Sequence, residues 1–475
     1  MARAKDVAQH RNADTVSARP QPLRARASGG SGGNTGQAMT AAPRIPAVVE
    51  QGSLWGAVTP DGPSCPPLQG NTSADAVVIG GGFTGLATAL NLRKTGVDVV
   101  LLEAAEPGWG ASGRNNGQVI PTLTRADPDD IEARHGDAGA RFVGLLRDCA
   151  NVLFDTVREH GIATEAEQTG WVQPVHTPGR IAIAERRHRQ WAARGAPVEL
   201  LDREQVTRML GSQAWYGGFW NRSGGHINPL ALARGLARVA VAAGARIHGG
   251  TTALAYEHRD GRWVVRTPAG EVRAQALVLA TNAYTGEHAP ALASAIAREV
   301  VPVLSWQMCT QPLAEEVRRS IIPGRQAMSD THGDLHFGRL DARGRFVTGG
   351  AIVLPFDRPA RLRNMIGARL QRLWPQIGPV RFDHVWNGYI AMTADHMPRF
   401  HRLGPNGFGW AGCNGRAVAL AMALGGEFAK AVRGVAADDL AIPFSQPTPL
   451  PLHALARRVA PFMLLRYRRL DRREV

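Results

Sequence analysis

The chain has 475 residues, 44% hydrophobic and 20% charged, the balance of a globular protein long enough for two domains. Four scattered cysteines (Cys65, Cys149, Cys309, Cys413) with no C-x-x-C pair exclude an evident zinc or iron–sulfur frame and a disulfide scaffold, which predicts a reducing, cytoplasmic setting. No apolar run approaches the roughly 18–20 residues of a membrane span, and the net charge of +15, carried by arginine with only three lysines (Lys5, Lys94, Lys430), is spread along the chain, so no nucleic-acid partner is expected.

The first 38 residues are rich in arginine, glycine and serine and have no apolar period. They read as a disordered extension, as a transit peptide, or as sequence upstream of a start at Met39; the last reading is preferred. The N-terminus shows no apolar signal region. From Ser53-Leu-Trp onward the chain gains anchors, and the proline-rich Pro60–Pro67 leads into a short β-branched run, Asp75-Ala-Val-Val-Ile-Gly, predicted as a buried strand. Thr84–Gly96 places Leu86, Ala89 and Leu90 on one helical face, and Gly96 suits the C-terminal position of that helix. Val97–Glu103 is the next buried strand, completing a right-handed β-α-β unit.

Further along, Asp129–Gly161 and Pro229–Gly244 read as helices, and Gly170–Val175 as a strand in a mixed region between about 165 and 222. Arg246–His248, Arg262–Arg266 and Ala276–Ala280 read as three strands. Alternating runs between 300 and 390, such as Leu335–Arg339 and Arg345–Gly349, predict an antiparallel sheet. Gly407–Ala421 opens a helix running to about Val432.

Gly80, Gly82 and Gly85 form G-x-G-x-x-G between the first strand and the first helix. Gly80 permits the turn, Gly82 lets the backbone approach a pyrophosphate, Gly85 lets helix and strand pack closely, and Phe83 and Thr84 open the helix whose N-terminus meets the phosphates. Glu103, followed by Ala104, ends the second strand where a carboxylate accepts hydrogen bonds from ribose hydroxyls and repels the extra phosphate of NADP.

The next segment, Gly108-Trp-Gly-Ala-Ser-Gly-Arg-Asn-Asn-Gly-Gln118, separates flavin from nicotinamide. With the glycine motif it resembles the D-amino-acid-oxidase-like superfamily of FAD enzymes, which includes glycine and sarcosine oxidases, and is most similar to the γ-glutamylputrescine oxidase branch. Within it Ala111, Ser112, Arg114, Asn115, Asn116, Gly117 and Gln118 are candidate FAD contacts; Ser112 offers a hydroxyl and Arg114 a fork for phosphate. Ala280 and Thr281, at a strand's carboxyl end, leave room for the cofactor. Gly412, Asn414, Gly415, Arg416 and Ala417 precede a helix that, in the superfamily, points its positive end at the flavin pyrimidine ring. His226, Trp306 and Tyr389 are candidate substrate-lining residues, each with a purely structural alternative. Asp395, in a segment resembling the superfamily's T-x-D-x-x-P run, reads as structural or cofactor-proximal.

The resemblance covers roughly residues 50–470 and implies an α/β fold: a Rossmann-like FAD-binding domain with an inserted antiparallel-sheet substrate domain. The expected order is an extension (1–38), a lead-in (39–72), FAD-binding parts at 73–150, 223–295 and 389–440, substrate-domain parts at 151–222 and 296–388, and a basic tail helix (441–475). The tail reads as packing on the body, with a membrane-surface helix as the alternative. The FAD is expected to be non-covalent, because Gly388 stands near the position of an attaching cysteine and Arg114-Asn115-Asn116 carries no histidine; Cys413 is the nearest thiol.

The implied reaction is oxidation of an amine C–H to an imine, then hydrolysis to an aldehyde, with oxygen or another electron acceptor; no catalytic side chain is assigned. A dehydrogenase passing electrons to a quinone or protein, and a non-catalytic flavin-binding protein, remain the alternatives. Sarcosine oxidases carry a lysine over the flavin; Arg345 is the nearest cation to that place here. The apolar Val119–Thr124 and Ala417–Ala421 stand where sarcosine oxidases place carboxylate-binding cations, which favours an amine, such as a γ-glutamylated putrescine, over a free α-amino acid. Arg125, Arg339 and Arg416 are the cations able to substitute.

Overall fold

The computed structural model describes residues 52–353 and 357–474; the expectations for residues 1–38, including a start at Met39, lie outside these. Two sheets organise the described chain. The first has nine strands, with a parallel centre in the order Gly407–Ala411, Gly270–Leu279, Thr72–Ile79, Val99–Leu102, Arg246–His248. Its strands are apolar runs because both faces are covered. On one face Ala76, Val78, Val99, Leu101, Ala276 and Val278 pack under helices. On the other, Val77, Ile79, Val100, Leu102, Leu277 and Leu279 meet Trp263, Leu292 and Ile296.

The predicted β-α-β unit is present as Thr72–Ile79, the helix Phe83–Lys94 and Val99–Leu102, in parallel register from Ala76 opposite Val99 to Ile79 opposite Leu102. Its helix is buried on more than the expected face: every residue from Phe83 to Leu90 is buried. The reason is a second helix, Val418–Val432, crossing it at small residues; a Cβ on Gly425 would stand 2.4 Å from the Ala87 Cβ. Gly85 sets the seat of the helix on its strand, since a Cβ there would fall 1.9 Å from the Gly80 carbonyl oxygen. Gly85→Ala is therefore expected to lower stability by about 2–3 kcal/mol, measured as a fall in Tm, and to open the loop that precedes the helix.

The second sheet has eight strands in the order Phe382–Met392, Val301–Pro312, Arg345–Gly350, Phe337–Leu340, Ala327–Ser329, Trp171–Pro174, Gly218–Asn221, Val198–Leu201. Every neighbouring pair is antiparallel except Ala327–Ser329 with Trp171–Pro174. The strand Phe382–Met392 carries this sheet past residue 388, where the sequence reading had returned the chain to the first domain.

Other elements differ in detail. The helix Pro128–Glu159 breaks at Gly136, whose φ of 55° leaves the helical region. A strand at Ala255–Arg259, not read from the sequence, joins an antiparallel meander with Arg262–Thr267 and Gly270–Leu279. Gly407–Ala411 forms a strand rather than a helix entry, and the helix begins only at Val418. The tail forms the helix His453–Asp471. It docks on the body through Arg457–Glu287 (2.6 Å) and Arg468–Asp334 (2.7 Å), with the Asp471 carboxylate accepting from the Gly333 N–H. Among the described residues no helix is long and apolar enough to cross a membrane.

Candidate active site

A cavity of about 460 Å³ runs from the carboxyl ends of the parallel strands to the second sheet and the tail helix. At its inner end the strand Thr72–Ile79 stops and Gly80 turns the chain at φ 108°, with a would-be Cβ only 2.8 Å from the Ala280 carbonyl oxygen. Gly80, Gly82, Phe83 and Thr84 line the cavity, whereas Gly85 lies beneath it against the strand. No side chain caps the helix Phe83–Lys94 at Gly82. A Cβ on Gly82 would stand 2.8 Å from Ser112 Oγ, which accepts from the Phe83 N–H at 3.0 Å. This helix N-terminus, with glycine at its cap and the Ser112 hydroxyl on its first N–H, suits an anion.

Glu103 and Ala104 line the cavity just past the second strand. The Glu103 carboxylate accepts from Gly81 N–H (2.6 Å) and Ala105 N–H (2.9 Å). Burial pushes its pKa up while these N–H groups pull it back. Its oxygens retain capacity for further donors.

Ala111, Ser112, Arg114, Asn115, Asn116 and Gln118 line one side. Gly117 does not; its φ of 85° and the Ile227 carbonyl, 2.1 Å from a would-be Cβ, give it a backbone role. Arg114 lies over Trp109 and donates through Nε to the Trp109 carbonyl. Ala280 and Thr281 line the opposite side, and Asn414, Gly415, Arg416 and Ala417 a third. Gly412 lies outside the lining, its φ of 87° and close Thr393 methyl shaping the turn. The Asn414 amide holds that turn, accepting from the Thr393 N–H (2.9 Å) and donating to the Gly412 carbonyl (2.9 Å). No side chain caps the helix Val418–Val432, whose first residue also faces the cavity.

Of the substrate-lining candidates, only Tyr389 lines the cavity. Trp306 is buried in the apolar core of the second sheet, while its neighbours Ser305 and Gln307 face the cavity, because successive residues of a strand point to opposite faces. His226 is 1% exposed and outside the lining. Its Nε2 lies 3.0 Å from the Arg325 carbonyl and its Nδ1 3.4 Å from Arg339 Nη1, so it joins loops; burial, and then the Arg339 charge, hold it neutral. Arg339 is also outside the lining and donates to the backbone carbonyls of Asn116 and Ile227. Arg345 is paired with Asp341 away from the cavity, and Asp395 with Arg134 and Arg399.

Several lining residues escaped the sequence reading. Tyr284 sits in a packed group with Trp109, His288 and Tyr389, and burial pushes its pKa to about 12. Its place two residues after Asn282 was a usable signal. Leu464 and Tyr467 reach the cavity from the tail, and no local pattern marks them.

The cavity fits FAD on its own evidence. Gly80 and Gly82 have no room for a Cβ, neither Gly82 nor Ala417 caps the helix that follows it, and five lining residues carry buried polar atoms with no protein partner: Arg114 Nη1, Gln118 Oε1, His396 Nδ1, Trp410 Nε1 and Arg416 Nε. These are the donors, acceptors and small residues that a flavin dinucleotide would use.

The two-sheet fold and this cleft define a flavin-dependent oxidoreductase. Residues 75–431 match the DAO family, FAD dependent oxidoreductase, and the chain belongs to that family: it binds FAD and oxidises CH–NH groups. It is similar to gamma-glutamylputrescine oxidoreductase of Escherichia coli, 32% identical over 369 residues that cover 77% of this chain and 85% of that one. In structure it is similar to glycine oxidase from Geobacillus kaustophilus (TM-score 0.67, 21% identity, 80% of this chain and 100% of that one). It is likewise similar to L-proline dehydrogenase from P. horikoshii (TM-score 0.65, 18% identity, 78% and 96%).

Proposed function

We propose that this chain oxidises the terminal amine of a substrate carrying a carboxylate at its far end, with a γ-glutamylated diamine as the best-fitting class. FAD, held by residues around Gly80–Thr84, Glu103, Ala111–Gln118 and Asn414–Ala417, would supply the acceptor for the hydride from the carbon beside the amine nitrogen. The imine is hydrolysed by water to an aldehyde, and the nitrogen leaves as ammonia. The chain's part is to bind, orient and dry. Tyr284, Tyr389 and Trp410 wall the cavity with aromatic surface, which favours the neutral amine over the ammonium. The uncapped N-terminus of Val418–Val432 favours negative charge beside it.

The observation that carries the reading is the distribution of cations. Arg114 and Arg416 line the cavity and each gives a donor to a backbone carbonyl, those of Trp109 and Leu123, while the nitrogens left over, Arg114 Nη1 and Arg416 Nε, are buried and are assigned to the cofactor. Burial lowers the Arg416 pKa to about 9, with the Arg187 charge adding to the shift. Arg125, exposed at the mouth, lies over the Tyr467 ring and makes no ion pair among the described residues. Arg125 is the cation left to hold a carboxylate at the mouth, which supports a long substrate over a small α-amino acid. The name of the Escherichia coli relative supports the same class. The test is kcat/KM for γ-glutamylputrescine, putrescine, glycine, sarcosine and D-alanine. The first is expected to lead; a higher value for any of the three amino acids than for both amines overturns the proposal.

A second reading concerns the electron acceptor. Oxygen is the acceptor expected from the family resemblance, yet among the described residues no lysine lines the cavity: Lys94 pairs with Glu159 and Lys430 with Glu427. This favours a dehydrogenase. Stopped-flow mixing of reduced enzyme with oxygen separates the two: reoxidation far slower than turnover with an artificial acceptor supports the dehydrogenase, and reoxidation that keeps pace supports the oxidase.

A further inference from the structure

Ten large hydrophobic side chains are exposed among the described residues, and seven of them lie on one short stretch of the tail: Leu452, Leu455, Val459, Phe462, Met463, Leu465 and Leu470. The helix His453–Asp471 turns its other face to the body, where Leu464 and Tyr467 wall the cavity and Arg457 and Arg468 pair with Glu287 and Asp334. Phe462, Leu455 and Leu465 are each at least half exposed. Residues spaced three and four apart share a helix face, so Leu455, Val459 and Phe462 form one apolar strip, continued towards the C-terminus by arginines.

Arg458, Arg466, Arg469, Arg472 and Arg473 are exposed and make no ion pair among the described residues. The only acids of the segment, Asp471 and Glu474, are turned to the body, onto the Gly333 N–H and Arg180. The outward face is thus apolar and cationic with no acid on it. Apolar side chains with arginines among them, on a helix of low mean hydropathy, match the chemistry of a lipid–water interface: the rings and branched chains enter the acyl boundary while the guanidinium groups reach up to phosphates. Self-association fits less well. Pairing two copies of this helix in parallel sets arginines against arginines, and pairing them antiparallel sets arginines against the apolar strip.

We propose that the tail helix docks this enzyme on an anionic phospholipid bilayer, as a peripheral contact and not a span. The docked helix is the one whose inner face walls the substrate cavity, so the mouth lies close to the membrane surface.

The test is co-sedimentation of the FAD-loaded full chain with phosphatidylcholine vesicles, either pure or containing about a third phosphatidylglycerol. The enzyme is expected to sediment with the anionic vesicles, to leave the neutral ones in solution, and to be released as salt rises. The triple variant Leu455→Ser, Phe462→Ser, Leu465→Ser and the triple variant Arg458→Gln, Arg466→Gln, Arg469→Gln are each expected to weaken binding about tenfold or more, with FAD content and Tm unchanged because these side chains are exposed. If one variant fails to fold, the other decides. Equal binding to both vesicle types, no binding to either, or variants that bind like the parent overturn the proposal. So does a stable dimer in sedimentation velocity that the apolar variant converts to monomer, which would show a second copy on this face.

Discussion

Glu103→Lys is expected to yield a colourless protein. The substitution removes the acceptor of the Gly81 and Ala105 N–H groups, at about 1–3 kcal/mol for each donor left buried and unpaired, and sets a cation where the carboxylate faced the cavity. On the proposed assignment the ribose hydroxyls would lose their acceptor at the same time, and the Gly80–Gly82 turn loses the brace that the Gly81 N–H makes to this carboxylate. Glu103→Gln keeps one acceptor oxygen and is expected to retain FAD with affinity reduced about tenfold. The measurement is flavin content after gel filtration, with far-ultraviolet circular dichroism to show that the Lys variant is folded. A Lys variant as yellow as the parent would contradict the nucleotide assignment.

Arg125→Ala is expected to raise KM for γ-glutamylputrescine about tenfold to a hundredfold, the range of a charge-assisted hydrogen bond worth about 1.5–3 kcal/mol. It should leave kcat for that substrate, and both constants for putrescine, nearly unchanged. This split follows from the proposed binding mode, in which the exposed guanidinium over Tyr467 meets the carboxylate end of the substrate and not the reacting amine. Arg125→Lys should recover part of the loss, because an ammonium keeps the charge without the bidentate fork. Equal damage to both substrates would place Arg125 in the scaffold rather than in recognition.

The nucleotide half of this site was legible in the sequence because local constraints write it. A tight turn at Gly80, a close approach at Gly82 and a helix seat at Gly85 each require glycine, and an acid must end the next strand. All four lie within 24 consecutive residues, Gly80 to Glu103. The substrate half was less legible, because it is built by pairing distant segments. Trp306 and Ser305 are adjacent in sequence yet face opposite sides of the second sheet, and only the register with Arg345–Gly350 and Phe382–Met392 decides which meets the cavity. His226 preceded a helix as expected, but its two ring nitrogens are taken by Arg325 and Arg339, residues about a hundred positions away. Tyr467 reaches the cavity only because the tail folds back, held by Asp334 and Glu287. Periodicity also undercounted burial in the first helix, since the crossing of Val418–Val432 at Gly425 has no local signature.

The central claim is that the cavity is an amine-oxidising flavin site, and anaerobic reduction of the purified enzyme tests it most directly. With oxygen removed, adding γ-glutamylputrescine to the yellow protein should bleach the visible flavin band to the reduced spectrum, one equivalent of substrate per FAD. Putrescine should do so more slowly, and glycine and sarcosine more slowly still. A flavin that stays oxidised with every amine, or one that glycine or sarcosine bleaches first, would contradict the account.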